Sequence, residues 1–581
     1  MAPNTAGPRF AQPYFLQEIP PFVQYTSPVA YGTPTPTAGS QLPLNLIALI
    51  VSFLDDIGDI ARVTRTSRLL YYMTLPQLYQ HVALHSYADI RYVNGRPEGF
   101  GSGSPFMMAL NGLATKSYAN VVQNFRLWGD WKEVGADDFA RGRVPDNSML
   151  LNMMLRVCVD RMTRLQSFSW ELDCKPLKTL YQGLASRDTL TNLTIKFPSS
   201  RLPRPSVCIP AMPNLRSFHA IDIDPLCYPD DISVLLLGSK KLEDLRLHFS
   251  PRMRRSAEPT LNMETYFGRC IKAGHALKLK HFAMQNWFGP NTQSFNFVMD
   301  HNTCDSMTFL DTFGGAQGGS ANVYVDDTWR NLPPDYKTDF RTIRFNEFAE
   351  QHVEMLNNSS GLEYVYVVND RAGKPSMSSS VASPSSDYIT PDDSPSAAST
   401  DPLSRLSDIP MLGRQYVRSF TEKHGSTLKH LLLSSQWPLS ETDVTNLIRN
   451  CPNLTQLGFA LGFPNHSTLR LVIPFLPNLR AFRILYNSTL RSPENEMANL
   501  SEEERIAILG RDLYLTGAHK LRWIGAGDEV YRAGGAFEFV YPDGRKEMRR
   551  KIERASLSDV HDVEIWGLDT LDIMAERGPE G

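Results

Sequence analysis

The sequence predicts an α/β protein in two parts. A short helical module lies near the N-terminus, and an irregular solenoid of helix-turn-strand units follows, with parallel strands lining a concave face and helices outside. Three observations lead there. At 581 residues the chain is too long for one compact core, so several domains or a repeat array is expected. Between residues 42 and 82 apolar residues recur at helical spacing. From about residue 118 onward a phrase apolar-x-x-apolar-x-apolar keeps returning, its last two apolar residues alternating as a half-buried strand requires.

Residues 1–40, rich in Pro, Thr and Ala, read as a disordered tail. Leu42 and Pro43 open the helical module, assigned to 41–85, and proline is tolerated at a helix start because its missing N–H costs nothing there. Leu46, Ile47, Ile50, Phe53 and Leu54 then share a helical face. Asp55, Asp56, Gly58 and Asp59 break that helix, and Asp59 is expected to cap a second one carrying Ile60, Val63, Leu69 and Leu70. Such a module either packs on the rest of the chain as an ordinary helical hairpin or needs a partner. Residues 86–117 are assigned to a linker.

The clear copies of the strand phrase are Leu165/Phe168/Trp170, Leu190/Leu193/Ile195, Leu215/Phe218/Ala220, Leu242/Leu245/Leu247, Leu279/Phe282/Met284, Phe340/Ile343/Phe345, Leu362/Val365/Val367, Leu428/Leu431/Leu433, Leu454/Leu457/Phe459 and Leu479/Phe482/Ile484. Val122/Phe125/Leu127, Met307/Leu310/Thr312 and Leu521/Ile524/Ala526 are weaker. Starts at 165, 190, 215 and 242 are 25, 25 and 27 residues apart, a period that suits one strand and one helix per unit. Met212-Pro213-Asn214-Leu215, Cys451-Pro452-Asn453-Leu454 and Leu476-Pro477-Asn478-Leu479 each close a helix and turn into a strand. An ordinary α/β sheet would use the same strands, but no Gly-rich phosphate loop follows any of them, and near-constant spacing suits units that stack only on neighbours.

The longest interruption holds residues 372–408, dominated by Ser, Pro, Asp and Ala, which cannot offset their ordering entropy. A disordered insert at 371–410 therefore divides the array into 118–370 and 411–581. Ser383, Thr390 and Ser394 precede prolines there, as proline-directed phosphorylation sites do. At the end come residues 536–540, a turn at 541–544, a basic amphipathic stretch at 545–554 read as a solvated cap, and 562–568 as a possible last strand.

Residues 42–82 resemble an F-box: the Leu42-Pro43 opening with Leu46, the acidic break, and the following helix with Val63, Ser67 and Leu69. The Cys-Pro-Asn-Leu phrase resembles the long-helix leucine-rich repeats found after F-boxes, and the whole resembles fungal F-box substrate receptors. The resemblance implies a Skp-type adaptor bound through Leu42, Pro43, Leu46, Ile50, Phe53, Leu54, Val63 and Leu69, and through it a cullin scaffold and a RING subunit. The chain would then be the substrate receptor of a ubiquitin ligase, capturing a protein substrate without bond chemistry of its own. The family's asparagine or cysteine ladder after the strand is mostly missing, so uneven curvature is expected. The alternative is a leucine-rich-repeat scaffold that never meets a ligase.

Lys and Arg number 59 against 62 Asp and Glu, a net charge of −3, so no global basic field points to nucleic acid or anionic membrane. Neither a membrane span nor a secretory signal is visible, and an intracellular protein, cytoplasmic or nuclear, is expected. Seven scattered cysteines make no pair at zinc spacing and read as reduced, packed thiols, with no metal and no cofactor expected. No nucleophile-base, paired-carboxylate or kinase pattern appears, and the glycine runs at 99–103 and 314–319 read as flexible loops. Not an enzyme, the chain should recognise its partner on the concave strand positions that alternate outward: Lys196, His219, Arg246, His248, His281, Gln285, Arg344, Asn346, Tyr364 and Tyr366. Their cationic and aromatic character favours an acidic or phosphorylated segment.

Overall fold

The computed structural model describes residues 42–98, 104–131, 135–141, 143–198, 207–224, 227–228, 230–251, 263–286, 298–312, 340–346, 350–369, 402–462, 468–486, 500–527 and 529–575. The tail at 1–40, the two glycine runs, and the insert up to 401 with Ser383, Thr390 and Ser394 lie outside the described residues. The chain divides into two units, 1–74 and 75–581.

In the first unit, Pro43 precedes the helix Leu44–Ser52, and a second helix runs over Ile57–Val63. Its cap is Asp56, whose carboxylate accepts from the Asp59 amide at 2.8 Å. This corrects the expectation for Asp59, which sits in the first turn, where a negative charge also favours the helix dipole. Val63 and Leu69 do not share a helix. Thr64 and Thr66 turn their hydroxyls back onto the Ala61 and Val63 carbonyls, and Ser67 Oγ accepts from the Leu70 amide at 3.1 Å to start the helix Arg68–Tyr79.

The second unit is the solenoid. Its sheet runs β1 (His81–Ser86), β4 (Asn124–Gly129), β5 (Ser167–Leu172), β6 (Asn192–Lys196), β7 (Ser217–Ile223), β8 (Asp244–Phe249), β9 (His281–Gln285), β10 (Ser306–Leu310), β11 (Thr342–Phe345), β12 (Tyr364–Val367), β13 (His430–Leu432), β14 (Gln456–Ala460), β15 (Ala481–Leu485), β16 (Trp523–Ala526), β17 (Glu529–Val540) and β18 (Lys546–Ala555). A separate hairpin joins β2 (Tyr92–Val93) and β3 (Arg96–Pro97). Strands pair parallel with their chain neighbours as far as β16, and β17 and β18 close the sheet antiparallel.

The strand phrase sets this register. Phe125, Phe168, Leu193, Phe218, Leu245 and Phe282 lie in one rung, continued by Met307, Ile343, Val365, Leu431, Leu457, Phe482 and Ile524, all buried on the helix side. Helices such as Asp146–Arg161 and Glu441–Asn450 cover that side with Leu151, Leu155, Cys158, Val159, Val444, Leu447 and Ile448. The Pro-Asn turns stitch units together: Asn214 donates to the Asp188 carbonyl at 3.0 Å and Asn453 to that of Ser426 at 2.7 Å.

Several expectations are corrected. Met307/Leu310/Thr312 is out of phase: the residues in the helix-side core are Cys304, Met307 and Phe309, because Met307 pairs with Phe282 and Ile343, and Leu310, also buried, lies outside that core. Residues 86–117 are not a plain linker, since the helix Pro105–Thr115 buries Phe106, Leu110 and Leu113, and β1 is already the first rung of the sheet. Residues 402–408 of the insert belong to the helix Pro402–His424. The stretch at 545–554 is largely a strand, and 562–568 carries a helical turn, Glu564–Gly567, in place of a last strand. The asparagine ladder, expected to be mostly missing, has a few rungs: Asn286 accepts from the Thr312 amide and Asn346 from that of Asp311, both at 2.8 Å.

Candidate functional site

Two surfaces have functional interest, each within its own unit. On the first, Leu42, Pro43, Leu46, Ile50 and Phe53 are exposed, and so is Leu69, while Leu54 and Val63 are half-buried. Phe53 is 73 % exposed, and the helix Leu44–Ser52 buries only Val51. Leu44, Leu49, Ile57 and Tyr72, which the sequence reading did not single out, extend this apolar surface. Single exposed leucines are ordinary, but a run of this kind makes a candidate interaction surface.

The second surface is the face of the sheet opposite the helices. Over its first half the outward positions are polar and charged, and they pair with each other. Arg126 on β4 makes a two-pronged bond to Glu171 on β5, at 2.8 and 2.6 Å. Lys196 meets Asp173 at 2.6 Å. At the near end, Trp128 stacks on His85 with centroids 3.6 Å apart, and Arg126 and Arg91 lie over Trp128 and Tyr87.

On β7 and β8, Ser217, His219, Asp244 and Arg246 form a network. His219 Nε2 meets both Ser217 Oγ at 3.0 Å and Asp244 Oδ2 at 2.8 Å. Activating a serine requires hydroxyl and carboxylate on opposite ring nitrogens, so this is a charge network and not a triad. Burial alone would raise the Asp244 carboxyl, but the bonds from His219 and Arg246 pull it down to about 2.

Over the second half the face is not open. Residues 563–575, following the β17–β18 hairpin, lie across it as a strap. Ile565, Trp566 and Leu568 pack on Tyr364, Tyr366, Leu432, Ala460, Ala481 and Leu485 in a second hydrophobic core. Room for the indole exists because β16 carries glycine: a Cβ on Gly525 would come 2.7 Å from Trp566 Cζ2. Arg483 forms a buried ion pair with Asp569 at 2.7 Å and donates to the Ile565 carbonyl at 2.9 Å. Arg344 donates to the carbonyls of Leu568, Thr570 and Asp572, and Arg246 to those of Ile573 and Met574.

This corrects the expectation of an outward, solvent-facing cationic set. Arg246, Gln285, Arg344, Tyr364 and Tyr366 are buried, and Arg246, Gln285 and Arg344 bond to the strap. Tyr366 Oη bonds His430 Nδ1 at 2.8 Å, and Tyr364 packs edge-on against the same ring. His248 bonds the Asp222 amide and Asn286, its pKa lowered by burial. Asn346 belongs to the ladder. Lys196 and His219 stay partly accessible in ion pairs, and His281 stays exposed. The structure brings His219, Arg246, His281 and Arg344 together around one cavity of about 530 Å³, closed on the strap side by Leu568, Ile573 and Ala575. The signal that was missed is the composition of the later outward positions: Leu432, Gly458, Ala460, Ala481, Leu485 and Gly525 are apolar or tiny, as in strands buried on both faces.

No family model and no curated protein matches the sequence. Among solved structures, a chain of the crystal structure of the Rad7 and Elc1 complex in yeast aligns with a TM-score of 0.34 at 10 % identity, covering 79 % of this chain and 92 % of that one. That likeness is too slight to bear on function.

Proposed function

We propose that the chain is the substrate-recognition subunit of a Skp-cullin-F-box type ubiquitin ligase. Residues 42–82 would bind a Skp-type adaptor and through it a cullin, and the repeat unit would hold a protein substrate. The observation that supports this best is the exposed apolar run of Leu42, Leu46, Ile50 and Phe53, a helix face of the kind that docks into a partner's groove. The repeat unit fits a holding role: its outward charges on β4 to β8 are paired for positioning, and the Ser217-His219-Asp244 group has the wrong geometry for acyl transfer.

Combining Leu46→Ala with Ile50→Ala tests the adaptor half. Neither side chain is buried, so circular dichroism should stay unchanged while co-purification of a Skp-type adaptor falls at least tenfold, since anchor truncations cost about 1 to 4 kcal/mol each. Undiminished co-purification would leave a repeat scaffold with no ligase role.

A further inference from the structure

The strap is held in two unequal ways. Its first half, 564–569, is fixed by its own side chains: Asp569 in the buried pair with Arg483, Trp566 in the second core, and Glu564 on Gln456, whose Oε1 also accepts from the Ile565 amide at 3.1 Å. Its second half, 571–575, is held to the sheet through main-chain carbonyls. Gln285 donates to Leu571 at 2.7 Å, Arg344 to Asp572 at 3.1 Å, and Arg246 to Ile573 and Met574 at 3.4 and 3.2 Å. Among its side chains only Ile573 is buried, and Asp572 is exposed. The segment turns at Ile573 and Met574, where the Ala575 amide donates to the Asp572 carbonyl at 3.2 Å and the Met574 amide to the Asp572 carboxylate at 2.9 Å, so successive carbonyls face the sheet, and any peptide that takes this turn offers the same ones.

The cavity under this second half has an unbalanced charge. Arg246 and Arg344 line it against a single acid, Asp244, which His219 and Arg246 already engage. Arg344 is 3 % exposed, and its bonds go to three carbonyls, with no carboxylate at ion-pair distance among the described residues. Asp569 and Asp572 act on Arg344 only from beyond ion-pair distance, and a buried guanidinium binds a carboxylate in direct contact more strongly than a neutral oxygen.

We propose that residues 571–575 hold the place of a partner. An acidic peptide that takes the same turn lies over β8 to β11, its carbonyls on Gln285, Arg246 and Arg344 and one carboxylate in the cavity on Arg344, while 564–569 stays seated. The proposal rests on the repeat unit being the partner-holding part, and it names the partner's chemistry.

The probe is a labelled peptide of the chain's own residues 570–581, together with the same peptide carrying Ala575→Glu, which turns a carboxylate toward the cavity. Fluorescence anisotropy is read on the full chain and on a chain ending after Thr570. Both peptides should bind the shortened chain at least tenfold more tightly than the full chain. The Ala575→Glu peptide should bind it at least tenfold more tightly than the unchanged one, and Arg344→Gln should erase that difference. Equal binding of the two peptides, or a difference that survives Arg344→Gln, overturns the proposal.

Hydrogen exchange on the full chain decides independently of the truncation. Amides of 571–575 should exchange at least tenfold faster than those of 565–569, and equal protection overturns release. Adaptor co-purification separates the two readings: Arg344→Gln should leave it intact, and the Leu46/Ile50 double variant should leave peptide binding intact.

Discussion

Strands β5 and β14 are written in the same phrase and live in different surroundings. Along β5 every second residue is buried and those between, Ser167, Ser169 and Glu171, are half-buried. Along β14 every residue is buried, including the outward Gln456, Gly458 and Ala460. The inward residues are equivalent, Phe168 and Trp170 in one, Leu457 and Phe459 in the other, so the solenoid itself does not distinguish them. What differs is the second face. Polar outward residues leave it wet, whereas apolar and small ones create a surface that must be covered, and the chain covers it with its own residues 563–575.

If the second half is a two-sided core, damage to the cover should cost as much as damage to a core. Trp566→Ala should destabilise the protein by about 4 kcal/mol, in the range for a buried aromatic, as read from the denaturation midpoint. A loss below about 1 kcal/mol would mean the strap merely rests on the sheet.

Asp569→Ala should cost about 3 kcal/mol, since it leaves Arg483 buried without its carboxylate. Adding Arg483→Met should restore part of that loss, because the uncompensated charge is then gone.

The junction between the halves should show in the pH profile. The Asp244 carboxyl lies near 2, below its ordinary value, so its pairing stabilises the fold above about pH 4 and the stabilisation is lost as pH falls toward 2. The contribution is about 2 kcal/mol. Asp244→Asn should remove that part of the acid sensitivity, and an unaltered profile would show that the network carries no folding energy.

The smallest effect belongs to the open half. Arg126→Ala breaks the two-pronged bond to Glu171, but Arg126 is largely exposed, and the loss should stay within about 1 kcal/mol. A larger cost would show that the first half also has a hidden cover.

The inward phrase was legible almost throughout, because alternation and a fixed period give both strand and register; it failed at β10, where Leu310 follows Phe309 and two apolar residues compete for one inward place. The outward face was legible as polar where it is wet. It was misjudged at Arg246 and Arg344, since a cation on a strand looks the same whether it faces water or the carbonyls of a segment more than two hundred residues away. Residues 562–568 were read as a strand for a related reason: apolar spacing records burial, not whether a segment joins a sheet or lies across it. In the first unit the apolar helix positions were readable, while the choice of Asp56 over Asp59 as cap turned on where the helix begins, which several nearby acids leave open.

Hydroxyl-radical footprinting of the intact chain tests the contrast between the halves most directly. Trp128, 37 % exposed on β4, should oxidise readily, while Tyr364 and Tyr366, at outward positions of β12, should be protected. In a chain ending after residue 562 the two tyrosines should become reactive while Trp170, buried on the helix side, stays protected. Tyrosines that oxidise in the intact chain as fast as Trp128 would contradict a covered second half.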